Sequence, residues 1–505
     1  MRLPYLSDDG KKTEKYIVNF HGINYGEGYR DGEFADCLNL STEKFPCITP
    51  RRERVLAGTY GAPSSLHAKE GLVVVDGTRV LYNGSQVGTV TEGRKQMATV
   101  GNSVVIFPDK VYYDVAKGTF QSMEASYSAA GLVFTDSTIT TAGADWPFRV
   151  GDAVEISGCA TTANNKSPIV RGVNGKELIF YDNTLQAGTE SGTVTIKRNV
   201  PDLDFICESD YRLWGTKGNT IYGSKYGDPL NFFCYDGLVG DSYYIDVGSD
   251  GEFTGCLAYS QHVCFFKENT LHKLYGSKPS NYQLVTANVY GVQEGCERSM
   301  CIVNEQLLYK GVHGVYAYSG GIPELLTENF GTRRYSEAAA ACDGERYYIS
   351  MRDSEGWHVF VYDVLKGIWL EEDNTQAIDM VFHDGCVYML SADGNLWQVD
   401  RDASRDDTEW SATFCPFNET MDERKGYSRF TMRAELASGA WLSVDVKTDR
   451  DQRWRQVYTT HNERARTISV PIIPTRCDSV NVRVRGKGDC TIKAFVREFA
   501  VGSDV

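Results

Sequence analysis

The chain has 505 residues, enough for about two to four domains that each bury a core. Its 49 Gly, 30 Tyr and 22 Phe beside only 14 Pro favour short strands joined by tight turns. The net charge is −15; residues 401–505 hold 18 Lys+Arg against 16 Asp+Glu, so residues 1–400 carry −17, which argues against a nucleic-acid grip built from clustered cations.

Residues 1–55 open with MRLPYLSDDGKKTEKY, which lacks the apolar core of a signal peptide, and are assigned as an N-terminal arm. Strand-rich units then begin at Leu66 (LHAKEGLVVVDGTRVLYNGSQVGTV) and Gln96 (QMATVGNSVVIFPDKVYYDVAKGTF), and again at Leu203, Phe253, Arg298, Ala338 and Ala377. Each runs an apolar strand, a turn at Gly, Asp or Asn, and alternating strands ending near an aromatic. A spacing of about 30 to 50 residues between all-strand units is the mark of a β-propeller. The expected fold is therefore all-β, a propeller of about seven blades in two parts, residues 56–123 and 201–400. Between them, 124–200 has its own strand rhythm, with turn signals at Asn164-Asn165 and Asn174-Gly175, and reads as an inserted small β-barrel or sandwich. After a polar linker, RDASRDDTEW, five alternating segments from RFTMRAEL to CTIKAFVREF make 401–505 an antiparallel β-sandwich. The best short helical candidate lies at Glu337–Ala341, and no apolar run reaches the roughly 20 residues that span a bilayer.

The stretch GNTIYGSK, Gly218 to Lys225, comes close to a phosphate-binding loop. Such a loop needs a helix directly after its lysine, and here YGDPLNFF follows, so the stretch reads as a hairpin turn. The eight histidines (His21, His67, His262, His272, His313, His358, His383 and His461) form no HExxH or HxH, and only His262 and His272 share a blade. SADGNLW, Ser391 to Trp397, is one residue short of the structural turn box of sialidase-type propellers. Trp214, Tyr222, Trp357, Trp369 and Trp397 could stack on sugars or seal blade interfaces, and Arg476, Arg483 and Arg485 could form a patch or a solvated strand face. The 14 cysteines stand singly without CxxC, which fits reduced, buried thiols and assembly inside a cell. No catalytic, cofactor-binding or metal-ligating residue is assigned, no cofactor is expected, and the chain is not expected to be an enzyme.

The unit DLDFICESDYRLWGTKGNTIYGSKYGDPLNFF resembles a blade of tail accessory and nozzle propellers of tailed bacteriophages, with the R-x-W-G…N-x-I-Y-x-S-x-x-G-D-P-x-N-F pattern over Arg212 to Phe233. YGVQEGCERSMCIVNEQLLYKGVHGVYAYSGG is similar to their following blades, FRVGDAVEISGCATTANNKSPIVRGVNGKELIF resembles small β modules of phage tails, and the C-terminal stretch from VPIIPTRCDSV resembles sandwiches of phage and prophage proteins. The N-terminal segment to Arg54 departs from the pattern, and the cysteine count is high for a virion part. The resemblance implies a structural virion protein, a tail nozzle or hub or a head-to-tail adaptor subunit, assembled in the bacterial host cytoplasm. It implies a ring, commonly a hexamer, that lines the DNA exit channel and docks other tail or adaptor proteins and tail fibres. DNA would pass through without specific binding. The alternative is a carbohydrate-binding or glycoside-cleaving propeller acting at the host cell surface.

Overall fold

The computed structural model describes residues 12–399, 402–419, 424–461 and 467–501. It is an all-β propeller protein with seven four-stranded antiparallel blades, an inserted β domain and a C-terminal β-sandwich. The chain divides into two compact units, one of Tyr60–Glu297 and one of Met1–Thr59 with Arg298–Val505.

The unit of Tyr60–Glu297 holds blades one to four, at 63–89, 96–122, 205–246 and 255–287. Within each blade consecutive strands pair as hairpins, because alternation puts one apolar row on each face and a short turn, Gly101-Asn102 or Gly218-Asn219 for example, joins the strands. Blades two and three are buried on both faces by their neighbours within this unit. Val73, Val75, Val104 and Ile106 pack between blades one and two. Val105, Phe107, Leu213 and Phe232 do so between two and three, and Trp214, Ile221, Phe265 and Leu274 between three and four. Each such side chain contributes about 1.5–3 kcal/mol by leaving water. The insert leaves blade two after Met123 and returns at Val200, both buried in the blade-two/blade-three core. Its three-stranded and five-stranded sheets enclose a separate core around Phe134, Trp146, Phe148, Leu178 and Phe180.

The second unit holds blades five to seven and the sandwich. Blade seven consists of Ala377–His383, Cys386–Ser391 and Asn395–Val399, and its fourth strand is Arg54–Thr59 from far earlier in the chain. Residues 54–59 thus belong to the last blade, and a division at 55/56 cuts through this strand. The N-terminal segment is not a free arm either. Lys12–Ile17 pairs with Cys490–Val501, and Glu33–Leu38 pairs with Glu409–Phe414, so the segment supplies strands to both sheets of the sandwich. Five sandwich strands were expected from 401–505; the sheets also take in Glu409–Phe414, Arg455–Thr460 and the N-terminal strands. Phe34, Phe414, Phe430 and Phe495 form its aromatic centre, with ring centroids 5.1–5.4 Å apart from Phe34 through Phe414 to Phe495 and on to Phe430. The boundary at 400/401 lies outside the described residues.

The expected helical turn at Glu337–Ala341 is instead the strand Ser336–Cys342. Ala338 to Ala341 are all buried, so a run of small side chains lies on both faces where a helix would have had one wet face. A bulge at Glu337, whose φ is 50°, sets the strand's entry.

Candidate functional site: a clamped aromatic loop and its cleft

Blade three carries a long connection, 224–242, between its strands Thr220–Gly223 and Tyr243–Asp246. Polar residues of the stretch Arg212 to Phe233 hold it. Arg212 is fully buried, and its Nη1 donates to the carbonyls of Ser224 at 2.7 Å and Asp241 at 2.5 Å, while Nη2 donates to that of Val239 at 3.1 Å. A guanidinium carries five N–H donors in a fixed fork, so one side chain ties both ends of the loop to the blade. Ser224 Oγ accepts from Leu213 N at 2.9 Å, and Asn231 Nδ2 donates to Asp228 at 2.5 Å. Gly223 has no Cβ because one would meet the Trp214 ring at 2.6 Å.

This scaffold presents apolar side chains to solvent. Tyr226, Leu238, Val239 and Tyr244 are 54–67 % exposed, and so is Tyr211 at the neighbouring hairpin turn. Tyr211 meets Tyr226 edge-on at 6.0 Å, and Tyr235 meets Tyr244 at 5.7 Å. Scattered exposed apolar residues need no explanation; here they are grouped on one clamped loop and the strand and turn beside it.

The insert is fixed against the same loop. Asp152 pairs with Arg198 at 2.7 Å, and Arg198 also donates to the Met123 carbonyl. Asn231 bridges across: its Nδ2 donates to Asp152 at 3.2 Å and its Oδ1 accepts from Ala153 N at 3.1 Å. Lys225 Nζ donates to the Gly151 carbonyl at 3.2 Å, and Ala153, Ile169 and Cys234 close a small apolar core. Beside this seam lies a cleft of about 570 Å³, whose walls include Tyr181 of the insert and Phe233 and Tyr235 of the loop. Partial desolvation, with Asp241 nearby, raises the Asp236 carboxyl at its rim above the ordinary value.

The other residues singled out by sequence take structural places. Gly218–Lys225 is a hairpin: Lys217 pairs with Thr220 across the Gly218-Asn219 turn, and no helix follows. His262 lies opposite Tyr275 and His272 opposite Phe265, three rungs apart or about 10 Å along the strand, too far to share an ion. Both ring nitrogens of His272 are taken, by Ser249 at 2.9 Å and Thr286 at 2.8 Å. Among the described residues no group of three or more His, Cys, Asp or Glu is placed to hold a metal. In SADGNLW, Ser391 Oγ donates to the Asp393 carboxylate, which also accepts from Asn395 N, a turn lock that holds the Asp393 carboxyl below its usual range.

Trp214 and Trp369 are buried, the first against Tyr243 and Tyr282 and the second donating to the Leu326 carbonyl. Tyr222 and Trp397 pack partly buried against blade cores, and Trp357 is half-buried. The three arginines do not form one patch. Arg476 is on the four-stranded sheet, whereas Arg483 and Arg485 on the six-stranded sheet share the buried Asp445 at 2.7 and 2.9 Å.

The sequence reading assigns Gly218–Lys225 to a hairpin turn and Arg212–Phe233 to one blade, and it misses the exposed loop because the partners of Arg212 are main-chain carbonyls, which leave no letter in a sequence.

The fold and site define an all-β propeller protein with a clamped apolar loop on its third blade. No protein-family model matches the chain, and no curated protein matches it. Among solved structures it is similar to a chain of the mitotic checkpoint complex (9 % identity, 68 % of this chain and 92 % of that one, TM-score 0.37). It is also similar to BamB from Moraxella catarrhalis (14 %, 69 % and 97 %, TM-score 0.34). A third is the Cps50 (Swd1) β-propeller domain of Myceliophteria thermophila (10 %, 70 % and 99 %, TM-score 0.29). No helix among the described residues is long and apolar enough to cross a membrane.

Proposed function

We propose that this chain is a structural subunit of a tailed-bacteriophage tail, a nozzle or hub propeller that closes into a sixfold ring and docks neighbouring tail proteins. The observation that carries the reading is the clamped loop of blade three. Within the phage-like pattern of Arg212 to Phe233, Arg212 and Asn231 hold a surface that displays Tyr226, Leu238, Val239 and Tyr244 to solvent. A rigid apolar surface suits contact with a second copy of the chain, because little order is lost on binding. Identical contacts repeated around an axis end in a closed ring instead of a growing filament. The reading gives the chain no catalysis. Lys225, the one residue of a phosphate-loop pattern, is spent on the Gly151 carbonyl.

Mass photometry and negative-stain microscopy of the full chain, alone and in the virion, test the reading. Rings are expected, and Tyr226→Ser with Leu238→Ser and Val239→Ser should return the protein to monomers with an unchanged melting temperature. A wild-type chain that is monomeric in the virion, or a triple variant that still forms rings, would overturn it. ATP hydrolysis abolished by Lys225→Ala would overturn the non-catalytic reading.

A further inference from the structure

We infer that the cleft between the insert and the blade-three loop is a binding site for a neutral carbohydrate chain. Its volume of about 570 Å³ falls in the range of small-ligand clefts. Three aromatic rings stand open there: Tyr181 at 59 %, Phe233 at 38 % and Tyr235 at 47 % exposure. An aromatic face carries partial negative charge and attracts the polarised C–H groups on the flat side of a pyranose ring. Around the rings lie Glu155, Asp182, Asp236, Lys197 and Asn199, which offer acceptors and donors to hydroxyl groups.

The mixture narrows the ligand class. A purely apolar ligand would strip water from five polar side chains without replacing their hydrogen bonds. An anion would face three carboxylates against one lysine, and that lysine lies directly across from Glu155 on the paired strand. Two of the three carboxylates are also oriented already. Asn199 donates to Glu155 at 2.6 Å, and Asp182 accepts from Thr184 at 2.7 Å with Lys166 Nζ at 3.7 Å. Carboxylates held in this way act as fixed acceptors, the role that sugar hydroxyls require. The walls are rigid as well, because Asn231 ties Asp152 and Ala153 of the insert to the loop. A preorganised cleft loses little entropy when a ligand binds.

The cleft shares its loop with the proposed ring surface, Tyr235 meeting Tyr244 edge-on, so it is tested on the monomeric triple variant, where no ring contact can cover it, as well as on the native protein. The probes are gluco-, galacto-, manno- and N-acetylglucosamine trisaccharides on an array, followed by calorimetry with any that bind. At least one should bind, and Tyr181→Ala or Tyr235→Ala should each weaken it about tenfold or more. Both positions are exposed, so the melting temperature should stay within a few degrees. The affinity should also hold when salt is raised from about 50 to about 500 mM, since a neutral ligand is not screened. Absence of binding to every probe, or binding that both variants leave intact, would overturn the site. So would an affinity that falls steeply with salt, because hydrogen bonds and ring stacking to a neutral sugar are not screened.

Discussion

Tyr211 sits where its backbone is uncomfortable. It and Asp210 form the two-residue turn between Ser209 and Arg212, with φ of 57° and 52°. Left-handed backbone costs a side-chain-bearing residue roughly 1–2 kcal/mol, and Asn or Gly is the usual occupant of such a turn. Strain kept at an exposed aromatic points to use of that side chain. Tyr211→Asn should relieve about 1 kcal/mol of strain while losing an edge contact to Tyr226 of similar size. Stability in urea should therefore stay within about 1 kcal/mol of the parent, while ring formation weakens. A variant that assembles like the parent would show that the tyrosine serves only the turn. Histidines give the two units opposite responses to pH. Burial pushes His272 down to about 4, so the folded unit of blades one to four holds it neutral while the unfolded chain protonates near 6.5. Its contribution is full above pH 6.5 and is lost as pH falls toward 4, a loss of about 3 kcal/mol at most. His67 in the same unit is also pushed down to about 4, so His272→Gln should remove part of the acid sensitivity in urea titrations, not all of it. In the other unit, hydrogen bonding to Glu371 at 2.7 Å raises His358 above its ordinary value. That contribution is full below 6.5 and disappears as pH rises through the elevated value.

At the scale of strands, two pairs of thiols join the first strands of adjacent blades. Cys207 lies beside Cys256 between blades three and four, and Cys301 beside Cys342 between blades five and six. Cys342 is part-exposed, and the hydrogen bond from Cys301 lowers its pKa, which favours the thiolate that attacks an oxidant. With diamide, which takes up the two electrons and two protons released, the Cys301–Cys342 disulfide should form first and the buried Cys207–Cys256 pair later. Peptide mapping against time reads the order, and the reverse order would contradict it. A further test removes the insert: replacing residues 126–198 by a short linker should leave the blades unfolding cooperatively, though less stably, because Asn231 loses its Asp152 and Ala153 partners. Loss of cooperativity would make the insert part of the blade core. Legibility in the sequence follows from the range of the interactions. Blades, insert and sandwich were readable because hairpins are local, with alternation and a turn residue within one short stretch. The strand Arg54–Thr59 was not, since its partner Asn395–Val399 lies at the other end of the propeller sequence. Nor were Lys12–Ile17 and Glu33–Leu38, whose partners stand near the C-terminus. The aromatic cleft was equally hidden, because Tyr181 and Tyr235 meet only through the seam that Asn231 makes.

For the whole molecule, charge makes the sharpest statement about the proposed role. Residues 1–400 carry −17 and the C-terminal region only +2. Many of its cations are already committed: Arg51 and Arg54 are paired with Glu372 and Asp373, and Arg483 and Arg485 share Asp445. A tail subunit that conducts DNA has to let the duplex slide, and phosphate binding through released counterions would hold it instead. An acidic lining repels the duplex at close range and is screened beyond about 10 Å at moderate salt, so it discourages contact without blocking passage. The purified protein should therefore leave the fluorescence anisotropy of a labelled 30-base-pair duplex unchanged up to about 10 μM protein in about 50 mM salt, where non-specific binders are already retained. Replacing surface acids with lysine in blades one to seven should create salt-sensitive binding, and, in rings, slow the passage of DNA. Tight duplex binding by the native chain at low salt would remove the non-stick role, and a ring whose channel is lined by lysine and arginine would do the same.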